Sequence, residues 1–196
     1  MWLTSLLFLP LSSALFPMPY GIQYNSVTEE DLKSGQCSQC YHDDYREHTT
    51  SEDILSCAGP VLFVGAQKHV FWVWWYESTI SLGAFALASE VHKITALNTP
   101  HESNGVYWYF TPGKSFGFLA DMDLQQEPGA DTGTTNAASR LSWNLDHSLG
   151  GYRAGDMINL NNQRYMRKLI YNCPINLKVN TTNGVRVDRV LTSNGV

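Results

Sequence analysis

Arg140-Leu141-Ser142-Trp143-Asn144-Leu145-Asp146 alternates strictly in character. Leu141, Trp143 and Leu145 fall on one side of an extended chain, and Arg140, Ser142, Asn144 and Asp146 on the other. A period of two over this length marks a strand with one face on a core. Working outward, short runs rich in aliphatic and aromatic residues recur at 61–65, 71–76, 80–87, 106–111, 114–119 and 166–172. Gly, Pro, Asn, Ser or Thr separates most of them, and no segment sustains a long 3.6-residue period. The pattern predicts a mostly β protein, an antiparallel β-sandwich of lectin or jelly-roll type.

Two helices are expected before the strands begin. Thr28-Glu29-Glu30-Asp31 and Thr50-Ser51-Glu52-Asp53 each place a capping threonine three residues ahead of an acid. The first helix should stop by Gly35 and the second near Cys57. Residues 15–24, with Pro17, Pro19 and Gly21, read as extended chain, and the polar stretch 41–48 between the helices reads as a surface loop.

The chain has 196 residues, a mass of 22.0 kDa and 43% hydrophobic but only 16% charged residues. This excludes a wholly disordered chain, a coiled coil and a collagen-like fibre, and fits one domain. With a net charge of −5 and no Lys/Arg run longer than Arg167-Lys168, no nucleic-acid partner is expected.

Residues 3–15 are uncharged and dominated by Leu and Phe, and Ser12-Ser13-Ala14 supplies small residues for cleavage after Ala14. That is the pattern of a secretory signal, here with only the terminal amine as its positive end. The expected organisation is a signal peptide (1–14), a cysteine-containing segment with the short helices (15–58), the sandwich (59–173) and a C-terminal hairpin or tail (174–196), with an extracellular destination. Export favours disulfides among Cys37, Cys40, Cys57 and Cys173. One bridge should run from the Cys37/Cys40 pair to Cys173 and a local one to Cys57. Which cysteine of the pair goes where is left open. Asn180-Thr181-Thr182 is a glycosylation sequon beside the Asn183-Gly184 turn of the expected hairpin.

Residues 70–88 are apolar enough to suggest a membrane span, but Glu77 sits near the middle, and two buried strands joined at Glu77-Ser78 account for them better. No stable span is therefore expected. Phe71-Trp72-Val73-Trp74-Trp75-Tyr76 is large and apolar on both faces of a strand, and so must be buried twice or form an interface between copies or with an extracellular protein.

Four motifs invite chemistry. Gly113-Lys114-Ser115-Phe116-Gly117 resembles the nucleophile elbow of cutinase-like serine esterases, with Ser115 the nucleophile and His147 downstream. The elbow needs a helix after the serine, whereas Phe116 to Leu119 reads as strand, so a strand-to-strand turn is the better account. Asp131-Thr132-Gly133 resembles the active-site loop of aspartic proteases, but there is one such loop and it follows polar chain rather than a buried strand. Cys37-Ser38-Gln39-Cys40 with His42, His48 and Cys57 fits no common zinc spacing. Asp121, Asp123 and Asp131 offer oxygen ligands at loose spacing, which leaves calcium as the one cofactor to consider.

The densest polar and aromatic constellation runs from Arg140 to Asn162. A sugar presents an apolar ring face and a rim of hydroxyls, so its receptor combines an aromatic surface with groups that donate and accept. Tyr152, Arg153, Asn159, Asn161, Asp146 and Asn144 supply both, whereas Trp143 alternates with leucines and belongs to the core. The expected function is a secreted, non-catalytic recognition module for carbohydrate. The alternatives are a serine hydrolase using Ser115 and His147, or an extracellular assembly protein using the 71–76 cluster.

Overall fold

The computed structural model describes residues 18–68, 79–122, 137–146 and 151–177. In chain order these form β1 (Ile22–Thr28), α1 (Glu29–Ser34), β2 (Ser38–Asp44), α2 (Ser51–Leu55), β3 (Val61–Lys68), β4 (Thr79–Leu87), α3 (Ala88–Val91), β5 (His101–Ser103), β6 (Val106–Thr111), β7 (Ser115–Leu119), β8 (Leu141–Asn144), β9 (Arg153–Ala154) and β10 (Met166–Cys173). The strands make two five-stranded antiparallel sheets, ordered β1-β4-β3-β10-β2 and β5-β6-β7-β8-β9.

Alternation explains how the sheets share a core. Leu62, Val64, Ala66, Leu82, Ala84, Ala86 and Ile170 from the first sheet pack in one buried cluster with Trp108, Phe110, Phe116, Phe118, Leu141 and Trp143 from the second. The other face of the first sheet is also apolar. Phe63, Phe85, Leu169 and Tyr171 pack there with Val27, Leu32 of α1 and Leu177. On that face the Phe63 ring covers the facing pair Gly65 and Gly83, and a side chain at Gly83 would overlap the ring. β3 therefore reads as a nearly unbroken apolar run because both of its faces are covered.

Both helices form as expected, each with a reciprocal capping box, Thr28 with Asp31 and Thr50 with Asp53. One expectation needs correction. The stretch read as a surface loop at 41–48 begins as strand: β2 runs through Asp44 and pairs with β10. It is an edge strand, and the polar residues that suggested a loop suit an edge that faces solvent on one side. The segment read as extended up to Tyr24 runs into strand as its reading allows: β1 begins within it at Ile22, continues to Thr28 and bulges between Tyr24 and Val27. β1 and β2 thus lie in one sheet with β3 and β4, across the division drawn at 58/59.

The cysteines pair as Cys37–Cys173 and Cys40–Cys57, which selects between the alternatives the spacing left open. Because β2 and β10 are neighbours, the first bridge closes the end of that strand pair. Among the described residues, no helix is long and apolar enough to cross a membrane. The aromatic cluster at 71–76, Asp123, Asp131, His147, Asn180 and the expected C-terminal hairpin beyond Leu177 lie outside the described residues.

Candidate functional site: the outer face and edge of the second sheet

Since Trp108, Phe110, Phe116, Phe118, Leu141, Trp143 and Ala154 face the shared core, their neighbours along each strand face away from it. Those neighbours are Tyr109, Ser115, Gly117, Ser142, Asn144 and Arg153. The register sets Ser115 opposite Asn144, Gly117 between Tyr109 and Ser142, and Ser142 opposite Arg153. This outer face is polar yet closed: Ser115, Asn144 and Arg153 are 1%, 1% and 3% exposed. Tyr109 lies across Gly117 and its hydroxyl donates to the Leu141 carbonyl at 3.1 Å, so a side chain at residue 117 would collide with both.

Buried polar groups are ordinarily hydrogen-bonded, and exceptions call for an explanation. Ser115 Oγ, Asn144 Nδ2 and Arg153 Nε have no partner among the described residues. Arg153 Nη1 donates to the Gly155 carbonyl at 3.5 Å. Arg140, also buried, lies 3.8 Å from Asp121 Oδ1.

The remaining residues singled out from sequence gather at the adjoining edge. The Tyr152 amide donates to the Ser142 carbonyl and the Leu160 amide to the Tyr152 carbonyl, both at 3.1 Å, while Ala154 bridges Met157. These bonds stack β8, β9 and a single 3-10 turn at Leu160–Asn162 side by side. Of the six proposed ligand residues, Asn144, Tyr152 and Arg153 are buried, Asp146 and Asn161 are half-buried, and Asn159 is exposed. Asn159 sits in the left-handed region at φ 56°, a conformation asparagine tolerates better than most residues. Trp143 is fully buried and donates through Nε1 to the Tyr45 hydroxyl at 3.0 Å, which in turn donates to the Arg153 carbonyl at 3.2 Å. Tyr45 packs against Gly151, where a side chain would clash.

Ser115 opens β7 directly after the turn from β6, with Gly113 at φ 67°, and the chain continues as strand. The Gly-x-Ser-x-Gly segment is thus a β-hairpin and not a strand-to-helix elbow. Cys37, Cys40 and Cys57 are all in disulfides, and no cluster of three metal-ligating side chains occurs among the described residues.

A further polar cluster was not anticipated. Lys168 on β10 is fully buried and donates from Nζ to Thr49 Oγ1 at 2.5 Å and to the Glu47 carbonyl at 2.6 Å. Thr49 also pairs with the Tyr41 hydroxyl at 2.7 Å. Burial pushes the lysine down to about 8, against the opposing pull of Asp43, Asp53, Glu47 and Asp44. It pushes the Tyr41 phenol up. The sequence signal was present: Lys168 shares a strand face with Met166 and Ile170, both core residues. The cluster ties the chain after β2 to β10, with Lys168 and Thr49 closed to solvent and Tyr41 half-buried.

No protein-family model, curated protein or solved structure matches this chain.

Proposed function

We propose that this chain is a secreted, non-catalytic recognition module with a lectin-like β-sandwich, and that it binds carbohydrate at the edge formed by β8, β9 and the 3-10 turn. The observation that carries the reading is the pair of buried, unpartnered polar atoms, Asn144 Nδ2 and Arg153 Nε, beside a surface rim of Asp146, Asn159 and Asn161. An unpaired buried donor costs about 1–3 kcal/mol, and a ligand oxygen that pairs it recovers that cost on binding. The rim amides and carboxylate meet ring hydroxyls that both donate and accept, while Tyr152, buried behind them, fixes the edge through its backbone bonds to Ser142 and Leu160. Secretion is supported by the apolar leader and two disulfides.

A glycan array probed with the full chain, made through a secretory pathway and with calcium present, tests this. Specific binding that weakens about tenfold or more in Asn159→Ala or Asn161→Ala, with unchanged circular dichroism, is the expected result. Absence of binding to every glycan removes the reading.

A further inference from the structure

We infer that the group recognised on the outer face of the second sheet is an anion, and that the saccharide is an acidic one whose carboxylate meets Arg153, Ser115 and Asn144. The inference rests on the saccharide reading above and narrows its ligand class. Arginine stays charged in proteins, and a buried charge is ordinarily paired. Arg153 is 3% exposed, and its one hydrogen bond among the described residues is the long contact to Gly155. None of the ion pairs among those residues includes it, although Arg140, also buried, has Asp121 beside it.

The unpartnered atoms around Arg153 are of one kind. Ser115 Oγ, Asn144 Nδ2 and Arg153 Nε can each donate, on strands adjacent in the order β7-β8-β9. Ser115 faces Asn144 directly, about 5 Å across one strand pair, and Arg153 lies diagonal to Asn144 across the next, about 7 Å and within an arginine's reach, so Asn144 stands between the other two donors. A carboxylate accepts at two oxygens and donates nothing, so it answers both the charge and the three donors. A neutral hydroxyl would answer only the hydrogen bonds. The protein's net charge of −5 gives no long-range attraction for an anion, so recognition must be local. The three atoms are covered, so binding has to open this face, and association should be slow relative to diffusion.

The test is calorimetry on the full chain with oligosaccharides of glucuronate and of galacturonate, each beside its methyl ester, which keeps the ring and removes the charge. Sodium acetate is followed separately by thermal unfolding. One acid should bind at least about tenfold more tightly than its ester, and Arg153→Gln should erase that difference. Asn144→Asp is nearly isosteric and places a carboxylate diagonally across the strand pair from Arg153. It should raise the unfolding temperature and abolish acid binding. Equal binding of acid and ester overturns the anion and leaves the saccharide reading standing. If no sugar binds but acetate stabilises the wild type and not Arg153→Gln, the anion site stands and the acidic sugar falls. A fall in unfolding temperature for Asn144→Asp shows that Arg153 is not uncompensated and overturns the inference.

Discussion

Gly117 and Lys168 show how much of this protein rests on single positions. At Gly117 the absent side chain is what lets Tyr109 cross the strand and reach the Leu141 carbonyl. Gly117→Ala would place a methyl group against backbone that cannot yield, and should cost about 2–4 kcal/mol in urea unfolding. Lys168 makes a pH prediction of definite sign. Its folded value is about 8 against 10.5 when free, so between these the unfolded chain binds more protons and stability rises with pH. The contribution is present above the unfolded value and is lost as pH falls through the folded one. Urea unfolding near pH 9.5 should exceed that near pH 7.5 by on the order of 2 kcal/mol, and Lys168→Met should flatten the difference. Ser115 is the contrary lesson, because its motif suggested a nucleophile and the strand that follows it makes a hairpin.

Local chemistry wrote the short helices plainly. A five- or six-residue helix has few internal hydrogen bonds, so its caps carry a large share of its stability. Thr28→Ala and Thr50→Ala should each cost about 1 kcal/mol in thermal or chemical unfolding, with near-additive effects in the double variant. The strands flanked by clear turns were legible for the same reason: β3, β4, β6, β7, β8 and β10 each fall within an expected run or overlap it closely. β5 was missed although Asn104-Gly105 is a turn signal, both residues having positive φ between β5 and β6. The Asn104 side chain also donates to the Pro19 and Phe85 carbonyls, so this hairpin holds the incoming N-terminal chain. β2 was missed because its polar residues carry no periodic signal. What makes it a strand is its partner, β10, which lies far along the chain.

Taken together, the elements are held by closures that join distant parts of the chain. β10 lies between β3 and β2, so the last described strand joins the first sheet from within. The Tyr24 hydroxyl on β1 donates to Ser139 Oγ at 2.6 Å, tying the edge of the first sheet to the chain entering β8. The two disulfides span separations of 136 and 17 residues. By loop entropy, the first stabilises by about 5 kcal/mol and the second by about 3 kcal/mol. The Cys37→Ala/Cys173→Ala variant should therefore melt below Cys40→Ala/Cys57→Ala, as differential scanning calorimetry would show. The reverse order would mean that strain or residual structure outweighs chain entropy here.

The amino-acid sequence by itself determined the β class, the two capped helices, the permitted disulfide pairings and the residues that gather at the candidate edge. These follow from periodicity, capping chemistry and spacing, which act over a few residues. Only the tertiary structure decided which cysteine bridges which, that a polar segment becomes an edge strand, and that Lys168 is enclosed. It alone turned the polar face of Arg140 to Asp146 into a largely buried surface, with Ser115 set opposite Asn144 and Arg153 opposite Ser142 across the next strand pair. Burial and pairing depend on what the rest of the chain lays against a residue, and no local pattern encodes that.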